Sequence, residues 1–226
     1  GNVLEDFGQH MLWLAGLATL VLAAVGVVAA QSLKKVVAYL VLVSVGTLVS
    51  VLAIGTVPAI AAVLYYSLHS TLIAAALFLL ADVIAQQRGT VADRLVSGRP
   101  LQQPVLLGSL FILAALAVVG MPPLSGFVGK IWLLQAATGV AEKTALWTVL
   151  LVSSLLVLIA LTRAGSTLFW RLNKQQAGTE RCSKSQLYAV LGLLLCSPLL
   201  VVCGDPVMQF CLAGLLRLRK DQTPPV

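Results

Sequence analysis

Charge is what this sequence has least of. Of its 226 residues, 10% are charged and 59% are hydrophobic, where a soluble domain carries roughly 25% charged residues. That little polar surface cannot wrap a core in water, so the composition excludes a soluble globular protein and points to several membrane crossings. Cysteine is also scarce. The four, Cys182, Cys196, Cys203 and Cys211, form no CxxC pair and read as small packing residues rather than a redox or zinc motif. No phosphate loop, nucleophile triad or metal cluster is present, so neither soluble enzyme chemistry nor a cofactor is expected. No basic leader or cleavage site precedes the first apolar run, and the chain opens on Gly1 rather than Met. It reads as a fragment without a signal peptide. The short alternating segments of an outer-membrane barrel are missing too, which leaves helices as the way this backbone satisfies itself in lipid.

What is present is a series of seven apolar segments, at about 10–30, 34–54, 58–86, 104–119, 122–138, 144–170 and 186–203. They predict an all-α polytopic bundle forming a single membrane domain over residues 1–226. A 30 Å hydrocarbon layer needs about 20 helical residues. The fourth and fifth segments are marginal by that measure, and Gly120 to Pro123 separates them. They are two spans or one broken structure. Polar linkers fall at 87–103 and 171–185. The net charge of +7 is expected to face anionic headgroups rather than nucleic acid. If all seven segments cross, 31–35, 87–103, 139–143 and the tail share one side, with nine basic residues against Arg171, Lys174, Arg181 and Lys184. Without the tail and the Lys34–Lys35 pair the tally is four against four, so charge does not orient the chain.

Ionisable groups inside apolar segments carry the functional signal, because a lysine at a helix centre costs about 2.5–3.5 kcal/mol on insertion scales. Lys130 follows "GMPPLSGFVG", where Pro122 and Pro123 break helical hydrogen bonding and Gly126 and Gly129 allow close backbone approach. Ser125 is placed to satisfy a freed carbonyl. Two readings stand open. Lys130 snorkels to the interface, or it sits beside a broken helix that lines a wet site and exchanges a proton there. His69, with Tyr65, Tyr66, Ser67, Ser70 and Thr71 around it, is either a neutral histidine bonded to a neighbouring helix or a proton relay. Lys34 and Lys35 read as an interfacial turn, or as one lysine facing the interior. Asp82 reads as an interface anchor with Arg88 as its candidate partner, and His10 as a surface residue. Arg163 snorkels or forms a buried ion pair. Gln135 and Thr138 extend the fifth segment towards a wet face.

These same stretches resemble a known family. "SLKKVVAYLVLVSVGT", "YYSLHSTLIAAALFLL" and "GMPPLSGFVGK" are similar, in that order and spacing, to motifs of the antiporter-like subunits. Respiratory complex I shares these with the Mrp-type (Pha, Sha) multisubunit cation/proton antiporters. The wording of "LHSTLIAAALFLLAD" and "GFVGKIWLL" most resembles the D-type subunits of the antiporters. Family members are longer and built of two inverted repeats, so the resemblance implies that this chain corresponds to the second half. It further implies that Lys130 is the lysine of the second broken helix, that Lys34 is the central lysine with Lys35 at the next basic position, and that His69 is the relay histidine. Many relatives carry a lysine one turn after that histidine; here Ile73 and Ala74 stand there, so a relay would use water and the hydroxyls of Ser70 or Thr71.

The resulting expectation is a proton-translocating subunit of a Na⁺(K⁺)/H⁺ antiporter. It would work without a cofactor, among other membrane subunits, in a bacterial inner membrane. The alternatives are a proton-pumping arm subunit of a complex I-like oxidoreductase, and a structural subunit whose buried charges only specify packing.

Overall fold

The computed structural model describes residues 3–98, 100–137, 139–170 and 184–221. Thr138, Arg99, Arg171, Lys174, Arg181 and Cys182 lie outside the described residues. Among the described residues eight α-helices follow one another: α1 (Val3–Ala29), α2 (Leu33–Leu52), α3 (Val57–Arg88), α4 (Pro104–Val119), α5 (Ser125–Gln135), α6 (Val140–Phe169), α7 (Lys184–Val202) and α8 (Gly204–Asp221). Five of them are long and apolar enough to cross a membrane, and α4 is a shorter apolar helix.

The starts and stops follow local chemistry. Ser32 and Thr56 cap α2 and α3 with their hydroxyls, and Pro58 and Pro104 sit in first turns, where a missing N–H costs nothing. Gly55 turns the chain between α2 and α3 at φ +70°. The tail from Gly204, which showed no firm pattern in the sequence, is helix α8, opened by Asp205 and Pro206 in its first turn.

α3 is the hub, touching α2, α4, α5, α7 and α8. α4 and α5 form two halves of one discontinuous crossing. Gln102 N–H donates to the Gln87 side chain at 3.1 Å, so α4 begins beside the end of α3. The α5 end packs at the opposite end, where Leu133, Leu134 and Ala136 share a core with Val51, Ala59 and Ala62. The 16 and 11 residues of the two halves rise about 24 and 17 Å at 1.5 Å per residue. Together they exceed the hydrocarbon thickness that neither half matches alone. This resolves the choice left open by the sequence. It also moves the 139–143 connection to the side opposite 31–35, because α6 starts at the α5 end (Trp147 Nε1 donates to Leu134 O, 3.1 Å) and approaches Ala30 at Arg163 (2.8 Å).

Two expected charge pairings change. Asp82 accepts from Lys34 Nζ at 3.0 Å, not from Arg88. The two partners are 47% and 43% exposed, so the pair adds little stability. Arg88 is instead buried, and its guanidinium donates to the carbonyls of Ala92, Arg94 and Val96. Those bonds hold the loop whose Asp93 caps α2, with Leu33 N–H on its carbonyl (2.9 Å) and Lys34 N–H on its carboxylate (2.8 Å). Arg163 likewise bonds a carbonyl, that of Ala30, rather than a carboxylate. Replacing Arg88 with methionine strands three carbonyls. It is expected to cost at least about 3 kcal/mol, since each bond to a charged donor is worth about 1.5–3 kcal/mol and partial rehydration of the loop recovers some of the three. The readout is a clear fall in the thermal midpoint of the purified protein.

Candidate functional site

The site grows out of the end of α4. The last carbonyls of a helix have no intrahelical donor. At this end the chain turns through Gly120 at φ +85°, and the N–H groups of Gly120 and Met121 both return to Leu116 O (3.1 and 3.0 Å), as in a glycine-terminated helix. That leaves the carbonyls of Ala117, Val118 and Val119. The Pro122–Pro123 segment, whose peptide is cis, then intervenes before α5 starts at Ser125.

Two titratable side chains take those three carbonyls. Lys130 Nζ donates to Val118 O at 3.1 Å, Val119 O at 2.7 Å and Ser154 Oγ at 3.0 Å. An ammonium has three N–H donors, so all three are used. The negative end of the α4 dipole faces the cation; among the described residues the ion pair present is Lys34–Asp82, so no carboxylate neutralises Lys130. Ser154 lies midway along α6, about 20 Å from either end at 1.5 Å per residue. The ammonium therefore sits beside the middle of α6, at the helix break.

His69, 2% exposed and near the middle of α3, bonds the backbone of Ala117. Its Nδ1 lies 2.7 Å from Ser125 Oγ, and Ser125 Oγ lies 2.8 Å from Ser197 Oγ. The Ala117 carbonyl can only accept, and its oxygen and His69 Nε2 converge on Gly126. We therefore assign the proton to Nε2. Nδ1 then accepts from the Ser125 hydroxyl, which in turn accepts from Ser197, whose oxygen receives Ser125 N–H (3.3 Å). The chain of donors has one consistent direction. Gly126 and Gly129 make it possible: a Cβ at Gly126 would run into Ala117 O, and one at Gly129 would come within 2.9 Å of the Tyr66 ring.

Lys130, His69, Ser125, Pro122, Pro123, Gly126 and Gly129 thus gather at one break. Ser125 bonds His69 and Ser197 rather than a freed carbonyl. Ser70 and Thr71 are not in the cluster, as both hydroxyls donate to Ser67 O on their own helix (3.2 and 2.8 Å). Ser70 does border a cavity of about 20 Å³ shared with His69, Tyr66 and Ser44, room for about one water molecule. Lys34 and Asp82 lie apart: Asp82 is 13 residues beyond His69 on α3, about 20 Å. Lys35 is exposed and faces a different cavity. Gln135 is exposed beside α5's end. Sequence reasoning passed over Ser154 and Ser197. The signals were the Ser153–Ser154 pair midway along an apolar helix, and Ser197 preceding a proline inside one.

A family model described as "NADH:quinone oxidoreductase/Mrp antiporter, TM" matches residues 3–160. The D-type subunit of a Na(+)/H(+) antiporter from Bacillus subtilis is 35% identical over 190 residues, covering 84% of the chain and 38% of the relative. The D-type subunit of a probable K(+)/H(+) antiporter from Rhizobium meliloti is 33% identical over 194 residues, covering 74% and 36%. The chain spans under two-fifths of the length of these curated relatives. Among solved structures, one of the Mrp complex from Dietzia sp. matches with a TM-score of 0.78 at 19% identity, over 90% of this chain and 46% of the other. Respiratory complex I from Thermus thermophilus matches with 0.75 at 23% identity, over 92% and 45%. At these identities the two structures show a shared fold.

Proposed function

The chain belongs to the NADH:quinone oxidoreductase/Mrp antiporter transmembrane family, and from that premise we propose that it forms the proton-carrying second half of a D-type subunit in a multisubunit Na⁺(K⁺)/H⁺ antiporter of a bacterial inner membrane. The observation that carries this reading is Lys130. A membrane helix bundle gains nothing from an ammonium at mid-depth, and packing alone would favour an apolar residue there. Here the charge is held by two carbonyls and a hydroxyl, with no carboxylate on it among the described residues, so its proton can leave without stranding one. His69 sits on the adjacent carbonyl, with an acceptor nitrogen already in a hydroxyl chain through Ser125 to Ser197. Imidazole accepts at one nitrogen and releases at the other, which suits a relay. Beyond His69, towards Lys34 and Asp82, the hub helix buries Ile73, Leu77 and Leu80. On that side, water must enter for a proton to reach the Lys34–Asp82 pair. The partners are other membrane subunits, and the ions are protons and monovalent cations.

A second reading is the proton-pumping arm subunit of a complex I-like enzyme. The curated relatives at 35% and 33% identity carry antiporter names, and that favours the antiporter. The test uses everted vesicles containing the full-length subunit with its partners, read by cation-induced recovery of a pH-sensitive dye. His69→Gln keeps hydrogen bonding but cannot carry a proton. It is expected to slow exchange on the order of a hundredfold, as loss of a positioned acid–base group does, in a complex that still runs at its native size on a non-denaturing gel. Normal exchange by that variant would end the relay proposal.

A further inference from the structure

We propose that an open cavity away from the Lys130 site, bordered by the end of α1, the start of α2, the 93–96 loop and the last turns of α6, binds the phosphate of an anionic phospholipid. The cavity is about 800 Å³, and Lys35, Arg94 and Arg163 line it together with Asp93, Ser166 and Thr167. Asp93 is the one carboxylate among its described lining residues, and it is bound to α2: its side chain accepts Lys34 N–H and its carbonyl accepts Leu33 N–H. None of the three cations has a carboxylate within ion-pair distance among the described residues. Arg163 spends one Nη2 donor on Ala30 O, which pins the guanidinium at the cavity and leaves its other donors for an acceptor. Among the described residues three cations and one carboxylate line the same space, an excess of positive charge that suits an anion.

The position selects a lipid as the source. α1 ends and α2 begins here, and Trp170, 71% exposed, closes α6 nearby. Tryptophan at a helix end marks headgroup level, and basic pockets between membrane helices at that level suit anionic headgroups. The other face of the same turns of α6 lines an apolar groove of about 450 Å³ against α4, with Gly108, Gly165 and Phe169.

The test takes the intact complex, stripped of lipid in detergent, and titrates it with dioleoyl phosphatidylglycerol, dioleoyl phosphatidylcholine or inorganic phosphate, counting bound lipid by native mass spectrometry. Wild type is expected to bind phosphatidylglycerol in preference to phosphatidylcholine. Lys35→Gln, Arg94→Gln and Arg163→Gln should each weaken the phosphatidylglycerol site about fivefold, and the triple variant on the order of a hundredfold, with phosphatidylcholine unaffected. Arg163→Lys should retain binding. Lys35 and Arg94 are exposed, so their single variants remain readable if the triple variant misfolds. Unchanged phosphatidylglycerol binding in those singles overturns the proposal. So does displacement of the lipid by millimolar inorganic phosphate, which makes the ligand a soluble anion. Carbodiimide cross-linking of Lys35 to a carboxylate of another subunit in the native complex overturns it as well, because a protein then fills the cavity.

Discussion

Cation-driven proton movement is expected to fall to background when Lys130 becomes methionine, in a complex that still assembles. Methionine keeps the length of the stem and removes the charge. The carbonyls of Val118 and Val119 and the Ser154 hydroxyl then lose their donor, at about 1–3 kcal/mol for each group left unsatisfied. Against this, about 2.5–3.5 kcal/mol for holding a cation in the membrane is recovered. Over three groups the loss is about 3–9 kcal/mol, and the recovery offsets only its lower end, so Lys130→Met is expected to melt lower than wild type while the proposed proton carrier is removed. Lys130→Arg sharpens the experiment. A guanidinium supplies donors for the same carbonyls but does not release its proton, so this variant should assemble at wild-type levels and still fail to exchange. Both variants are read in everted vesicles by dye recovery on adding Na⁺ or K⁺, alongside a non-denaturing gel. Wild-type flux in either variant removes Lys130 from the proton path. Restored flux in Lys130→Arg with a lost complex in Lys130→Met assigns the residue to packing.

The parts of this site that the sequence exposes are those where a residue contradicts its surroundings. A lysine in an apolar run, and a Pro-Pro pair flanked by glycines, are anomalous on composition alone, and both fall at the break. Hydroxyls are different. A serine or threonine in a membrane helix ordinarily donates to its own i−4 carbonyl, as Thr47, Ser109 and Thr162 do here. Ser125, Ser154 and Ser197 reach across helices instead, and their neighbours in the string, Ser153 beside Ser154 and Pro198 after Ser197, mark them as unusual without saying what they reach. Only the packing of α5, α6 and α7 around the α4 end tells them apart. Ser70 and Thr71 drew attention by being close to His69 in sequence, yet the i−3 and i−4 carbonyl claimed them.

Pairing across helices shows the same limit. Lys34 and Asp82 are 48 residues apart, and their contact depends on α2 and α3 being antiparallel with ends in register. A local rule pairs Asp82 with the nearer Arg88. The helix ends, by contrast, were readable because each is set by a local residue: Ser32, Thr56, Pro104 and Gly120. The single crossing made by α4 and α5 was not, because length alone cannot tell two marginal spans from two halves of one.

Gly126→Ala is expected to disable the site through geometry alone, by adding one methyl group. Its Cβ would meet the Ala117 carbonyl oxygen and come within 2.8 Å of His69 Nε2. The carbonyl is backbone at the end of a packed helix and cannot swing aside, so α5 must back away from α4. Overpacking of this kind costs about 1–3 kcal/mol. The displacement acts on both neighbours: Ser125, adjacent in the chain, is drawn off His69 and Ser197, and Lys130, one turn along α5, is drawn off Val118 and Val119. Exchange should fall at least as far as in His69→Gln, with a lower thermal midpoint. Gly192→Ala is the control, since nothing lies within 4 Å of the added atom there, and its stability should stay within about 0.5 kcal/mol of wild type. If Gly126→Ala instead melts and transports like wild type, the start of α5 does not press on the end of α4. The shared terminus that brings Lys130 and His69 together would then be absent.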